Sequence, residues 1–321
     1  MTIPQKMMEA VREYSKLKCL AHKVNGKWKF WTYEEYLNDI KAFANALLAL
    51  GIPPFKTLNI IGYNHPAWFI SFHGSLFANV IPVGVYTTNG PDACHYVASH
   101  SEAQVVLVEN QEHLNKYLKI WDRLPQLKYI IIYNDKIPES IPMERKNNVL
   151  LFQDVMELGR KHSKETNDKF LNERLEAQRP GNCCTLVYTS GTTGLPKAVM
   201  LSHDNYTWAA HTYKENAYWE HTATLKPEDT RSVSYLPLSH VAAQFADMIL
   251  PIYGGACVYI AEPTALQGTL IETLKEVRPT HIVSVPRIWE KVEETMKRIG
   301  KENGWAKQKI GIINSFFYLF F

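Results

Sequence analysis

The 321-residue chain is 46% hydrophobic, 21% charged and 12% aromatic, the balance of an ordinary globular protein long enough to bury a large core. A net charge of +3 is too mild to imply a nucleic-acid partner, no lysine/arginine block is long enough to suggest one, and none is expected. Five cysteines (Cys19, Cys94, Cys183, Cys184, Cys257) show no C-x-x-C spacing and twelve histidines no H-E-x-x-H pairing. No metal site is expected from them, and the thiols are expected to be reduced and mostly buried, as in a cytoplasmic protein.

Residues 1–18 are interrupted by Lys6, Glu9, Arg12 and Glu13, which predicts an amphipathic helix and not a signal peptide. Asn25-Gly26, between the apolar-aromatic runs 21–24 and 27–31, predicts a β-hairpin. Thr32 with Glu35 has the spacing of a capping box; Tyr36, Ile40, Phe43, Ala44, Leu47 and Leu48 then share a helical face that stops at Gly51. From Thr57 onward strands (58–62, 80–86, 103–108, 129–133) alternate with helices (65–78, 91–99, 112–120). That alternation predicts an α/β fold, with mostly parallel sheets and flanking helices. Residues 136–148 read as a surface loop and 152–177 as helix-prone and charged.

The most informative stretch is Tyr188-Thr-Ser-Gly-Thr-Thr-Gly-Leu-Pro-Lys197. It lies between two short apolar runs, 184–188 and 198–201, each long enough for a strand. Gly191 and Gly194 let backbone come close to a ligand. Thr189, Ser190, Thr192 and Thr193 carry hydroxyls, and Lys197 adds a positive charge, so the whole reads as a polyphosphate cradle. It is not an ATPase P-loop, whose lysine directly follows the second glycine; here Leu195-Pro196 intervene and Ala198 stands where Ser or Thr would be. Ser202-His-Asp-Asn-Tyr206 looks like a capped helix start, and the helix 203–218 is expected to bury Trp208 and Tyr213 in part. A strand over 230–236 leads to Pro237-Leu-Ser-His240 and another helix, which sets His240 at a strand end, where open α/β sheets hold ligands. A capping or buried histidine is the alternative there; Tyr235 and Gln244 are weaker candidates for lining the same cleft, with core packing the expectation for both. Residues 286–299 predict a scaffold helix with Glu293–Lys297 and Glu294–Arg298 pairs.

Residues 188–197 resemble the phosphate-binding signature of adenylate-forming enzymes. Ser234-Tyr-Leu-Pro-Leu-Ser-His-Val-Ala-Ala-Gln244, Lys275-Glu-Val-Arg-Pro-Thr280 and Val285-Pro-Arg-Ile-Trp-Glu-Lys-Val292 are similar to long-chain acyl-CoA synthetases. Ala93-Cys-His-Tyr-Val97, Val106-Leu-Val-Glu-Asn110 and Met200-Leu-Ser-His-Asp-Asn205 are most similar to the bubblegum-type branch. Tyr235-Leu-Pro-Leu-Ser-His240 and Val285-Pro-Arg-Ile-Trp289 speak against luciferase-like or aryl-acid chemistry. The resemblance implies a ligase that activates a long-chain fatty acid with ATP and Mg2+ and transfers it to CoA. It implies that Thr189, Ser190, Gly191, Thr192, Thr193, Gly194 and Lys197 hold the phosphates, with Lys197 also steadying the leaving pyrophosphate. His240 would lie beside the reacting carboxylate. A cytoplasmic protein in peripheral contact with membranes, without a transmembrane segment, is the matching expectation.

The resemblance fades near residue 305, which suggests a partial AMP-binding domain over 1–305 and a divergent apolar tail over 306–321. Five of the last six residues are aromatic, too short a run to span a bilayer. The family's Tyr-Gly-x-[Ser/Thr]-Glu element, acidic ribose contact, hinge and mobile C-terminal domain have no counterpart. A truncated product that cannot complete a turnover alone is therefore expected, and a non-catalytic nucleotide-binding or interaction protein is the alternative. Ala198 also replaces the glycine most common in the family.

Overall fold

Local signals near the start of the chain set its first elements. Thr2 Oγ1 accepts from Gln5 N while the Gln5 side chain accepts from Thr2 N, which opens helix α1 (Ile3–Tyr14). Asn25 and Gly26 adopt left-handed φ angles of 51° and 74° and join strands β1 (Lys18–Val24) and β2 (Lys27–Thr32). A second reciprocal cap, Thr32 with Glu35, starts α2 (Tyr33–Ala49). The computed structural model describes residues 1–189, 195–215, 225–286 and 288–290, with 293, 294 and 297. The chain divides into Met1–His281 and Ile282–Phe321.

The first unit holds two sheets. Strands β3 (Thr57–Ile61), β4 (Ile81–Val85), β5 (Ala103–Val108), β6 (Tyr129–Ile132), β7 (Val149–Leu151), β8 (Cys183–Thr189) and β9 (Lys197–Ser202) form one, in the order β7-β6-β5-β3-β4-β8-β9. All its pairings are parallel except β8 with the edge strand β9. Strands β3, β4 and β5 are buried at every position, as a sheet covered on both faces requires. The helices that cover it are α3 (Pro66–Phe77), α4 (Pro91–His100), α5 (Gln111–Leu118), α6 (Phe152–Thr166) and α7 (Lys169–Ala177). A four-stranded sheet, β10 (Arg231–Ser234)-β11 (Cys257–Ile260)-β1-β2, has parallel β10, β11 and β1, with β2 antiparallel. The expected α/β fold with mostly parallel sheets is what forms.

Several local expectations change. The helix-prone run 152–177 breaks at Asn167 and Asp168, with φ of 50° and 56°, because Asp168 Oδ1 accepts from Asn45 Nδ2 (2.9 Å) and Ser163 Oγ (2.6 Å). Trp208 is 66% exposed and not partly buried. Helix α8 (His203–Glu215) buries His203, Tyr206, Thr207 and Ala210, and Trp208 falls beside that stripe. Strand β11 and the helix Leu270–Val277, whose Leu270, Leu274 and Val277 recur at helical spacing, form in addition to the expected elements. Four cysteines are buried and Cys183 is half-buried, all as free thiols. No helix among the described residues is long and apolar enough to cross a membrane. In the second unit Glu293 and Lys297 form the expected ion pair at 2.5 Å, while Arg298 lies outside the described residues.

Candidate functional site

Strands β8 and β9 are the two stems of the hydroxyl- and glycine-rich loop, and their last rung pairs Thr189 with Lys197. Ser190, Gly191, Thr192, Thr193 and Gly194 lie outside the described residues. Thr189 and Lys197 are both exposed, and no described carboxylate pairs with Lys197. The geometry thus sets a cation and a hydroxyl opposite each other at the mouth of the hairpin.

Helix α4 clamps both stems. Tyr96 Oη donates to the Pro196 carbonyl at 2.7 Å, one residue before Lys197. His100 Nδ1 lies 2.8 Å from Tyr188 Oη, one residue before Thr189. The Tyr96 and His100 rings stack with centroids 5.5 Å apart, which ties the two clamps together. Burial pushes the Tyr188 phenol up to about 12, so at neutral pH it is a neutral hydrogen-bonding group. Tyr96 and His100 carry no candidate role in the sequence; their spacing of four on a helix was the only local trace.

The turn carrying His240 docks on the same edge. A Cβ on Gly84 of β4 would lie 2.5 Å from Ser239 Cα, so only glycine lets the turn rest on the strand. Gly84 follows Val83, which pairs with Leu186 of β8. Thr189 is therefore one strand over and about two rungs on, roughly 8 Å away along the sheet. Asn64, just past β3, donates through Nδ2 to Ser234 Oγ and to the Leu236 carbonyl, both at 2.9 Å. These bonds draw the C-terminal edges of the two sheets together. Gln244 is fully buried, accepts from Tyr206 Oη (2.8 Å) and donates to the Leu238 carbonyl (2.9 Å). Gln244 and Tyr235 therefore support the turn from the core.

His240 itself is exposed and caps the helical run that follows, its Nδ1 accepting from Ala242 N at 3.2 Å. In the neutral ring that bond leaves the proton on Nε2, a donor facing no described partner and suited to a carboxylate or phosphate oxygen. Beyond it a π-helical segment, Gln244–Ile249, contains Asp247. Burial raises the Asp247 carboxyl to about 7, with a hydrogen bond from Ser234 opposing the shift. Among the described residues no group of three or more His, Cys, Asp or Glu side chains could hold a metal ion.

A family model described as AMP-binding enzyme matches residues 8–310. The chain belongs to the AMP-binding enzyme family. It is 42% identical over 309 residues to the long-chain-fatty-acid–CoA ligase ACSBG2 of Xenopus laevis, covering 96% of this chain and 40% of that protein. Its identity to the long-chain-fatty-acid–CoA ligase ACSBG1 of Homo sapiens is 40% over 312 residues, covering 96% of this chain and 41% of that one. The likeness to the bubblegum-type ligases thus runs through nearly the whole chain, yet the chain spans only about 40% of their length. Two solved AMP-binding structures share the fold. The anthranilate CoA ligase AuaEII with anthranoyl-AMP has a TM-score of 0.69 at 21% identity, over 88% of this chain and 49% of that one. The A domain of the carboxylic acid reductase from Segniliparus rugosus, with AMP and a carboxylic acid, has a TM-score of 0.69 at 18% identity, over 98% and 53%.

Proposed function

We propose that this chain carries the phosphate-binding and carboxylate-facing side of an adenylate-forming ligase for long-chain fatty acids. In the reaction, a fatty carboxylate oxygen attacks the α-phosphorus of ATP, an acyl-adenylate forms and pyrophosphate leaves. The CoA thiol then attacks the acyl carbon, loses its proton and displaces AMP. The loop 189–194 and Lys197 hold the β- and γ-phosphates and offset the charge that grows on the departing pyrophosphate. His240 Nε2–H orients the carboxylate. Magnesium enters as the counter-ion carried by ATP, and positioning, not a covalent enzyme intermediate, supplies the rate.

What supports this reading is the rung Thr189–Lys197, clamped by α4, on the sheet edge where the His240 turn docks. The named relatives are fatty-acid–CoA ligases more than twice as long as the stretch they share with this chain. We therefore propose ATP binding for the chain itself, and full turnover only with the further length those relatives have. Peripheral membrane contact, through the fatty substrate, and a cytoplasmic location belong to the same proposal. Calorimetry with Mg-ATP on the chain and on Lys197→Ala tests it. Binding that weakens at least tenfold in the variant is expected; a folded chain that takes up no ATP overturns the reading. A non-catalytic binding protein is the second reading, favoured by the same 40% coverage. Acyl-CoA formation by the purified chain, abolished in Lys197→Ala, eliminates it.

A further inference from the structure

A second cavity lies at the far end of the same sheet edge. Its volume is about 510 Å³, within the range of small-molecule sites. Residues that directly follow β6 and β7 and the first turn of α3 line one side, and the β1–β2 hairpin covers the other. Along the sheet, its wall after β6 lies four strand positions from β8, about 19 Å, and its wall after β3 two positions, about 10 Å. It is a separate site on the edge that open α/β sheets use for ligands.

Its wall offers two kinds of surface. His65 stacks on Tyr133 with ring centroids 4.9 Å apart, and His22 meets His65 edge-on at 4.8 Å. Burial lowers both imidazoles, His65 to about 3, so they are neutral rings at physiological pH. His65 Nδ1 accepts from Ala67 N at 3.1 Å, leaving Nε2–H as a donor. The cations differ in how they are used. Lys23 pairs with Glu276 at 2.5 Å and Arg160 with Asp39 at 2.8 Å, whereas Lys29 has no carboxylate partner among the described residues. Lys29 sits instead over the Trp31 ring, 4.8 Å from its centroid. The cavity therefore joins a stack of uncharged rings to an unpaired ammonium group.

We propose that this cavity binds a nucleoside monophosphate, with the base against His22, His65 and Tyr133 and the phosphate at Lys29. A fatty chain fits it poorly, because it would cover the Asp39–Arg160 pair without replacing its water. Inorganic phosphate would fill a small part of the volume and leave the rings unused. The inference does not depend on the loop's role.

AMP titrated by calorimetry into the Lys197→Ala chain tests it, since that variant removes the loop's cation. One site is expected to remain and to weaken about tenfold when Lys29→Gln is added, the loss of one charge-assisted contact. Lys29 is exposed, so the second substitution leaves folding intact. Inorganic phosphate is expected to bind at least tenfold more weakly than AMP. No AMP binding in Lys197→Ala, binding unchanged by Lys29→Gln, or phosphate binding as tight as AMP would each overturn the proposal. A wild-type AMP isotherm unchanged by Lys197→Ala would support this site and agree with the loop's assignment, because AMP lacks the β- and γ-phosphates given to Lys197.

Discussion

Tyr96→Phe separates the clamp's role in binding from its role in stability. The substitution deletes one hydroxyl, which donates to the Pro196 carbonyl at 2.7 Å. The ring stays, so its stack on His100 at 5.5 Å and its packing are kept and no cavity opens. Pro196 is half-buried and its carbonyl can recover water, so the net cost is that of one neutral hydrogen bond, about 1 kcal/mol. Calorimetric Tm should fall by about 2–4 °C. If the bond holds the β9 stem in its ATP-binding position, the ordering cost reappears when ATP binds, and Kd for Mg-ATP should rise about fivefold. Arg123→Gln is the control: Arg123 bonds Asp92 at 3.0 Å and His95 at 3.3 Å on the same helix, neither of which bonds a stem among the described residues, and its loss should leave Kd unchanged. A Tyr96→Phe chain with lowered Tm and wild-type Kd would refute the clamp's part in binding.

Three further outcomes follow from the geometry. Gly84→Ala sets a methyl 2.5 Å from Ser239 Cα; a stability loss of about 1–3 kcal/mol in urea is expected, with the His240 amide resonance shifted in heteronuclear spectra while α6 resonances stay put. Gly159→Ala places Cβ 1.7 Å from the Ala42 carbonyl, where α6 crosses α2, and should cost 3 kcal/mol or more, on the order of the largest overpacking losses, or prevent soluble expression. Asp247 holds its proton up to about pH 7 when folded but ionises near its ordinary 3.8 when unfolded, so its stabilising contribution is complete below that lower value and is lost as pH rises to 7. Asp247→Asn should therefore gain on the wild type between about pH 4 and 7, by up to roughly 4 kcal/mol, and level off above; a difference in urea midpoint that is flat with pH would refute this.

The fold was legible where neighbours in sequence settle it. Asn25-Gly26 and the Thr32/Glu35 cap need no distant partner, and the apolar runs of β3 to β6 announce buried parallel strands. Where a distant partner decides, the local pattern misleads. Cys257–Ile260 is a four-residue run that becomes a strand because it fits between β10 and β1, pairing Val258 with Leu20. Asn167 and Asp168 sit inside helix-prone sequence, yet Asn45, more than a hundred residues earlier, captures Asp168 and ends the helix. Trp208 was a different kind of miss, since the stripe 203-206-207-210 could have been counted from the sequence and leaves position 208 outside it.

The candidate site divides along the same line. Its ligand-facing chemistry is written in consecutive residues, so the loop, Lys197 and His240 could be singled out without coordinates. Its supports could not, because their partners are remote: Tyr96 reaches Pro196 across 100 residues, His100 reaches Tyr188 across 88, and Asn64 reaches Ser234 across 170. Each support nevertheless leaves a local irregularity. Gly84 is a glycine inside a buried strand, where it costs backbone entropy unless something must come close. Tyr96 and His100 are polar aromatics four apart on one helix, able to act as a pair only if a polar target faces them. Asn64 is a polar residue just past a strand that is buried at every position. A residue that is locally unfavourable and still present is one whose reason lies elsewhere in the chain, and here all three reasons lead to the edge that carries the phosphate loop and His240.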